Sequence, residues 1–395
     1  MSSQLKVNSI SDAAGANGNA ITLATDGTCT AKVTNTASLS NRNLIINGAM
    51  QVNQRGSTAG LDDFNVVTGN LYTLDRWEGV GTSSFDWDSA RVKQVSDSPD
   101  EFSNSLRVDI GNTETPGAGQ NGLVRTKIEA QNLQHLAYGT SSAKSCTLSF
   151  WVRSNKTGTY CVQIQQRDAD KHLLYEYSIS SANTWEKKTI TFSGNTSDAI
   201  TNDNGIGFQI AFHLACHSDD HESATTSWAA NSGGAHKATS NQVNLWDHAD
   251  NVWYLTGVQL EVSDYATDFE MRSYGDELAR CQRYYQVLVE GNGLYFGGAG
   301  LFYASSQAYQ PIHFESEMRA NPSAEWTSGT DYYNVFHNGT NDGTQRPAAW
   351  SGGHSRGGSF YYQGGSYDLS NGSAGHAFGV NTNHASAKIA FSAEL

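Results

Sequence analysis

The chain has 395 residues, 38% of them hydrophobic and 16% charged, and a formal net charge of -14 at pH 7. That length can fill two or three ordinary cores, while the negative charge opposes non-specific attraction to nucleic-acid phosphates or to an anionic membrane surface. No stretch approaches the ~20 consecutive apolar residues of a membrane-spanning helix. With 39 Gly, 18 Tyr and 9 Trp against 5 Pro, the balance favours a turn-rich β architecture. The opening MSSQLKVNSI lacks the charged and apolar regions of a secretory signal, so synthesis in the cytoplasm is expected. The five cysteines, Cys29, Cys146, Cys161, Cys216 and Cys281, are odd in number and have no short repeated spacing, which argues against a disulfide framework. Cys146 shares a strand face with Leu148, Phe150 and Val152, and Cys161 with Gln163 and Gln165, so these two thiols are expected to point apart and stay reduced.

In chain order, residues 1–40 carry only isolated apolar positions, Leu5, Val7, Ile10, Ile21 and Leu23, set among Asn, Gly, Ser and Asp. One copy cannot build a core from these; the segment reads either as an arm ordered by assembly or as a disordered leader. From Asn41 to about Glu270 the two-residue period of strands recurs, as in SLRVDI (105–110), CTLSFWVRS, TYCVQIQQR, WEKKTITFS and IGFQIAFHL, with Gly, Asn and Ser clusters between. At least seven strands are expected there, in an antiparallel β-sandwich whose best single form is a jelly roll. Val252, Tyr254, Thr256, Val258, Leu260 and Val262 alternate with their neighbours in a last strand that closes this module. Ser273 then stands three residues ahead of Asp276, and Leu278, Cys281, Gln282 and Tyr285 share one helical face, so 271–285 reads as a linker helix. Residues 286–395 contain short aromatic-rich strands such as IHFESEMRANP, SFYYQGGSYDL and KIAFSAEL, which predict a second, smaller β-sandwich. No repeat of roughly 20 to 50 residues is evident, which argues against a long β-helical shaft.

Four of these stretches, NRNLIINGAMQVNQRG (41–56), YTLDRW (72–77), GVQLEV followed by ATDFE (257–270), and ELARCQRYY (277–285), carry a resemblance in their order and spacing. The chain resembles tail-fibre-type structural proteins of bacteriophages, especially those of marine cyanophages. The resemblance implies a homotrimeric, non-enzymatic virion protein displaying carbohydrate-binding-like sandwiches, with an extended N-terminal arm, residues 1–40, that joins other tail or neck proteins through Leu5, Val7 and Ile10. It implies a host-surface glycan as ligand of the terminal part, residues 286–395, and no nucleic acid or membrane insertion among its partners. Related proteins also occur as neck, whisker or head fibres, and some phage spikes are polysaccharide depolymerases; both stand as alternatives. By the same resemblance a structural calcium would fall to Asp75, Asp268 and Glu270, and no other cofactor is expected.

A sugar-binding surface needs flat aromatic faces and nearby hydrogen-bonding groups. Trp350, Tyr361, Tyr362 and Tyr367 lie among Asn, Gln, Asp and His in a Gly-rich segment and are the candidates, although any one of them could instead fill the core or a seam between copies. The densest polar cluster is His213, Cys216, His217, Asp219, Asp220, His221 and Glu222. Its residue types suit a transition metal, yet the spacing matches no familiar metal motif, so a solvated loop is expected and no metal is assigned. For hydrolysis, Asp62 with Asp63, Asp86 with Asp88 and Glu315 with Glu317 are the nominal carboxylate pairs, but such spacing on β elements usually marks a solvated face. GNGLYFGGAG lacks the strand and helix context of a dinucleotide loop, and GxSxG, HExxH and phosphate-loop motifs are absent.

Overall fold

A computed structural model of the chain describes residues 9–11, 19–23, 29–31, 41–56, 64–65, 69–82, 85, 90–231, 236–304, 307–327, 332–337, 340–345, 347–363 and 377–395. The fold is all-β, and among the described residues the strands of its sheets pair antiparallel, while two isolated bridges, Thr159 with Gln242 and His221 with Ala238, are parallel. The central sandwich faces a six-stranded sheet, ordered Glu186–Phe192, Cys146–Ser154, Val252–Glu261, Ser105–Asp109, Arg91–Val95, Phe64–Asn65, against a seven-stranded one. The latter runs Thr225–Ala230, Lys171–Ile179, Gly158–Gln166, Ile206–Cys216, Asn121–Glu129, Glu78–Gly81, Gly69–Tyr72, giving the expected jelly roll. Side-chain alternation explains the two layers: Leu148, Phe150 and Val152 from one sheet meet Phe208, Ile210 and Phe212 from the other in a single core. Trp77, Phe150 and Trp253 surround Phe212 with ring centroids 6.4, 5.0 and 6.0 Å from it. Gly257 adopts φ 60° inside the closing strand, where the pairing with Cys146–Ser154 slips by a bulge.

The opposite face of the seven-stranded sheet is covered over its central strands. Gln163, Gln209 and His213 point there, away from the apolar core, yet all are buried. For Gln163 and His213 the reason is the chain after Cys216, which folds back over this face: Gln163 Nε2 donates to the His236 carbonyl, Gln242 Nε2 donates to the His213 carbonyl at 3.1 Å, Ala238 packs on Cys161 and Leu174, the Thr239 amide donates to Cys161 Sγ at 3.3 Å, and Gln242 Oε1 accepts the Cys161 amide at 2.8 Å. Cys161 thus lies on the covered outer face and Cys146 in the core between the sheets, both as free thiols.

A second sandwich follows. A three-stranded sheet, Tyr285–Glu290, Lys388–Ser392, Ser323–Trp326, packs on a seven-stranded one ordered Thr340–Gln345, Tyr333–His337, Ala377–Thr382, Gly300–Ala304, Gln307–His313, Gly357–Gln363, Pro347–His354. Ile389 and Phe391 from the first share a core with Ile312, Phe360 and Phe378 from the second. The helix between the sandwiches, Tyr274–Gln282, is shorter than the expected linker and buries Glu277 and Cys281; Tyr285 already opens the next strand instead of completing the helical face. Ser273 caps it, its Oγ accepting the Asp276 amide at 3.2 Å. In the N-terminal segment a three-stranded sheet, Ser9–Ser11, Asn19–Leu23, Cys29–Ala31, places Ile10 opposite Ile21; Leu5 and Val7 lie outside the described residues.

The four stretches that carry the resemblance meet in space at the junction of the two sandwiches. The Leu44 amide donates to the Leu260 carbonyl at 2.8 Å, the Val258 amide to the Gly48 carbonyl at 2.9 Å, and Trp77 Nε1 to the Asn47 carbonyl at 3.0 Å. Glu277 of the helix accepts the Asn47 amide, and Arg76 bonds Glu394 while its guanidinium lies 3.5 Å from the centre of the Tyr284 ring. Arg283 bonds the Glu129 carboxylate through Nε at 2.7 Å and Nη2 at 3.0 Å. The motifs therefore build a joint between the two sandwiches.

Candidate functional site

The terminal seven-stranded sheet turns one face to its core and leaves the other outward. On its strands Phe302, Ala308, Gln310, Ile312, Phe360 and Tyr362 are buried, whereas the intervening positions emerge. Leu301 pairs with Tyr309 and Tyr309 with Tyr361, so these three stand abreast on adjacent strands. Leu301 is 55% exposed, Tyr303 73% and Tyr309 37%, and Tyr361 is half-buried. The rings form a continuous relief: Tyr303 meets Tyr309 edge-on with centroids 6.0 Å apart, and Tyr309 lies against Tyr361 at 5.2 Å with a 39° tilt. Pro311, His313 and Ser351 extend the same face with exposed side chains. An aromatic relief with hydroxyl and imidazole groups at its border can stack on a flat apolar ring face and bond the polar rim of the same ligand.

Of the four aromatic candidates, Tyr361 belongs to this strip and two are corrected. Tyr362 is 0% exposed, and its hydroxyl donates to Gln310 Oε1 at 2.7 Å, so it is core. The reason is parity: it shares the inward side of its strand with Phe360. Trp350 packs on Phe360 and Phe391, centroids 5.3 and 4.7 Å away, which makes it a partly buried wall of the core. Tyr367 lies outside the described residues. Tyr303 and Tyr309 were not singled out from sequence; the signal for them is the two-residue period, which puts Leu301 and Tyr303 opposite Phe302 on one strand and Tyr309 and Pro311 opposite Ile312 on the next.

The polar cluster of the central sandwich also differs from a solvated loop. Asp220 is buried and bonds Lys237 Nζ at 2.7 Å. His213 lies beneath the covering segment, where burial and, secondarily, the charge of Lys237 push its imidazole down to about 3, so it is neutral at pH 7. Glu222 alone of the predicted group joins other metal-type donors, and its companions come from elsewhere: His172 on the strand Lys171–Ile179 and His236. His172 Nε2 and His236 Nδ1 each lie 2.5 Å from one oxygen of the Glu222 carboxylate.

The acids named for calcium are not brought together. Asp75 is fully buried, where desolvation raises its carboxyl against the charge of Arg55, and Gln54 donates to it twice at 2.6 Å. Glu270 accepts the Asn43 amide at 2.9 Å and pairs with Arg272 at 3.1 Å, and Asp268 bonds through its main-chain carbonyl to Arg42 and Gln259. Among the nominal hydrolytic pairs, Glu317 is tied to Arg356 and Ser355 at the surface, and Asp62, Asp63, Asp86 and Asp88 lie outside the described residues.

No protein-family model matches the chain, and no curated protein matches it. Solved structures overlap it in part. An enzymatically active domain of tailspike protein 4 from bacteriophage CBA120 aligns over 56% of this chain and 21% of its own, at 14% identity and a TM-score of 0.27. A putative sugar-binding protein from Bacteroides thetaiotaomicron aligns over 56% of this chain and 100% of its own, at 12% identity and a TM-score of 0.33. A family 11 carbohydrate-binding module from Clostridium thermocellum, solved with a mixed-linked tetrasaccharide, covers 50% of this chain and 97% of its own, at 14% identity and a TM-score of 0.25.

Proposed function

We propose that the chain is a non-enzymatic fibre protein of a phage particle, trimeric and joined to the particle through residues 1–40, that holds a host surface by binding its glycans. The observation that carries the binding part is the outward strip of Leu301, Tyr303, Tyr309 and Tyr361, in which strand register sets Leu301, Tyr309 and Tyr361 abreast and the Tyr303 ring meets Tyr309 edge-on. Support for the phage part is the resemblance borne by the four sequence stretches, which makes the virion the expected location. Single ring contacts with sugars are weak, and three linked tips raise the effective concentration enough to hold a particle.

The test is binding of the full chain to a glycan array, repeated with Tyr303→Ala, Tyr309→Ala and Tyr361→Ala. Each side chain is outward, so thermal stability should hold while affinity falls about tenfold per ring, the equivalent of ~1.4 kcal/mol. Tyr265→Ala, an exposed tyrosine on the central module, should bind as the parent does. If light scattering instead finds that the strip variants change the oligomeric state, the strip is a seam between copies and the glycan reading falls.

A further inference from the structure

The geometry points to a divalent transition-metal site, zinc(II) foremost, held by His172 Nε2, Glu222 and His236 Nδ1 in the central sandwich. This inference does not rest on the glycan reading. Three observations carry it.

First, one donor atom from each residue lies within 4.8 Å of the others, although the three come from separate places in the chain. Zinc holds imidazole nitrogen and carboxylate oxygen at about 2.0–2.2 Å, which puts its ligands roughly 3–4 Å from one another. The cluster is therefore already on the scale of a coordination shell. Two imidazoles and one carboxylate form a borderline N/O donor set that suits zinc and its first-row neighbours better than calcium or magnesium, whose shells are built from oxygen alone.

Second, each ligand is positioned by the backbone around it. His172 has no exposed surface and projects from the strand Lys171–Ile179 onto the covered face of the sheet. His236 adopts φ 121°, a region that L side chains rarely occupy. It is held there because its amide donates to the Asp220 carbonyl at 3.2 Å and its own carbonyl accepts Gln163 Nε2. The Glu222 amide donates to the Ala238 carbonyl at 2.9 Å, which ties the two arms of the covering segment together beside the site.

Third, the site is closed on one side and open on the other. His172 is buried, whereas Glu222 and His236 keep 17% and 25% side-chain exposure. Three protein ligands with one solvent-facing position leave room for water or a partner's donor as the fourth ligand. The His172 and His236 rings lie 5.1 Å apart with the carboxylate touching both, so an ion drawn into this space would replace two hydrogen bonds by three coordinate bonds. Its structural effect would be to pin the segment after Cys216 onto the sheet.

The experiment uses the full chain without a histidine tag, stripped with chelator and dialysed. Zinc(II) is added alone and uptake is followed by calorimetry; cobalt(II) is added separately and its visible absorption recorded. The expected result is one equivalent per chain, a low-coordinate cobalt spectrum and a rise in Tm with zinc. Glu222→Gln and His236→Gln, both at partly exposed positions, should fold by circular dichroism and weaken zinc binding by about tenfold or more, while His217→Gln should bind like the parent. His172→Gln is informative where it folds, and the other two variants decide the matter where it does not. Absence of zinc uptake by the folded parent, or uptake unchanged in both Glu222→Gln and His236→Gln, would overturn the site.

Discussion

At Gly48 the chain has no room for a side chain. An added Cβ would stand 2.1 Å from the Val258 carbonyl oxygen, a main-chain atom that also belongs to the closing strand of the sandwich. Gly48→Ala should therefore cost about 3 kcal/mol or more, read as a fall in the urea midpoint, because neither backbone can move without breaking the hydrogen bond that the Val258 amide donates to the Gly48 carbonyl. The same scale shows what the sequence disclosed and what it hid. Tyr361 and Tyr362 have one chemistry and opposite fates, and only the parity of the strand separates them. Phe360 supplies that parity, since a wholly apolar ring belongs inside and takes Tyr362 with it. The histidine cluster was less legible: His172 is 50 residues from Glu222, and only the fold-back of the segment over the sheet brings them together. From sequence the long polar run after Cys216 read as solvent-facing because nothing in its composition announces the sheet beneath it.

Among the elements, the helix was legible from its cap and the closing strand from its alternation, since both signals are local. Ser273→Ala should lower stability by about 1 kcal/mol through the lost cap to the Asp276 amide. What joins the elements was not legible, because it depends on charges distant in sequence. Burial alone would raise the Glu129 carboxyl, but hydrogen bonds from Arg283 and Tyr284 and the charge of Arg283 outweigh it and hold the group below its ordinary value. A carboxylate depressed in the folded state adds stability that is fully present above its unfolded value and is lost as pH falls through the folded one. Glu129→Gln should thus cost about 2 kcal/mol near neutrality, the scale of a charge-assisted bond. The difference in Tm between parent and variant should narrow as pH is taken below the ordinary carboxylate range; a difference that persists unchanged in acid would mean that the pair contributes nothing through its charge.

For the whole molecule, the all-β class and the division into two sandwiches followed from composition and strand period, because both are averaged over many residues. If the chain is trimeric, as proposed, light scattering should return three chain masses; a stable single chain would leave no multivalent binding. Added polysaccharide should yield no new reducing ends; their release would favour a depolymerase. The joint bears on this scale too. Arg319 of the terminal module donates to the Asn204 carbonyl at 2.9 Å, Asn204 returns a bond to the Arg319 carbonyl at 2.8 Å, and Arg76 and Arg283 clamp the same border. With so many fastenings the two sandwiches form a lever rather than beads on a string. A sideways pull on the tyrosine strip is therefore passed as torque across this border into the central core instead of being absorbed by a hinge.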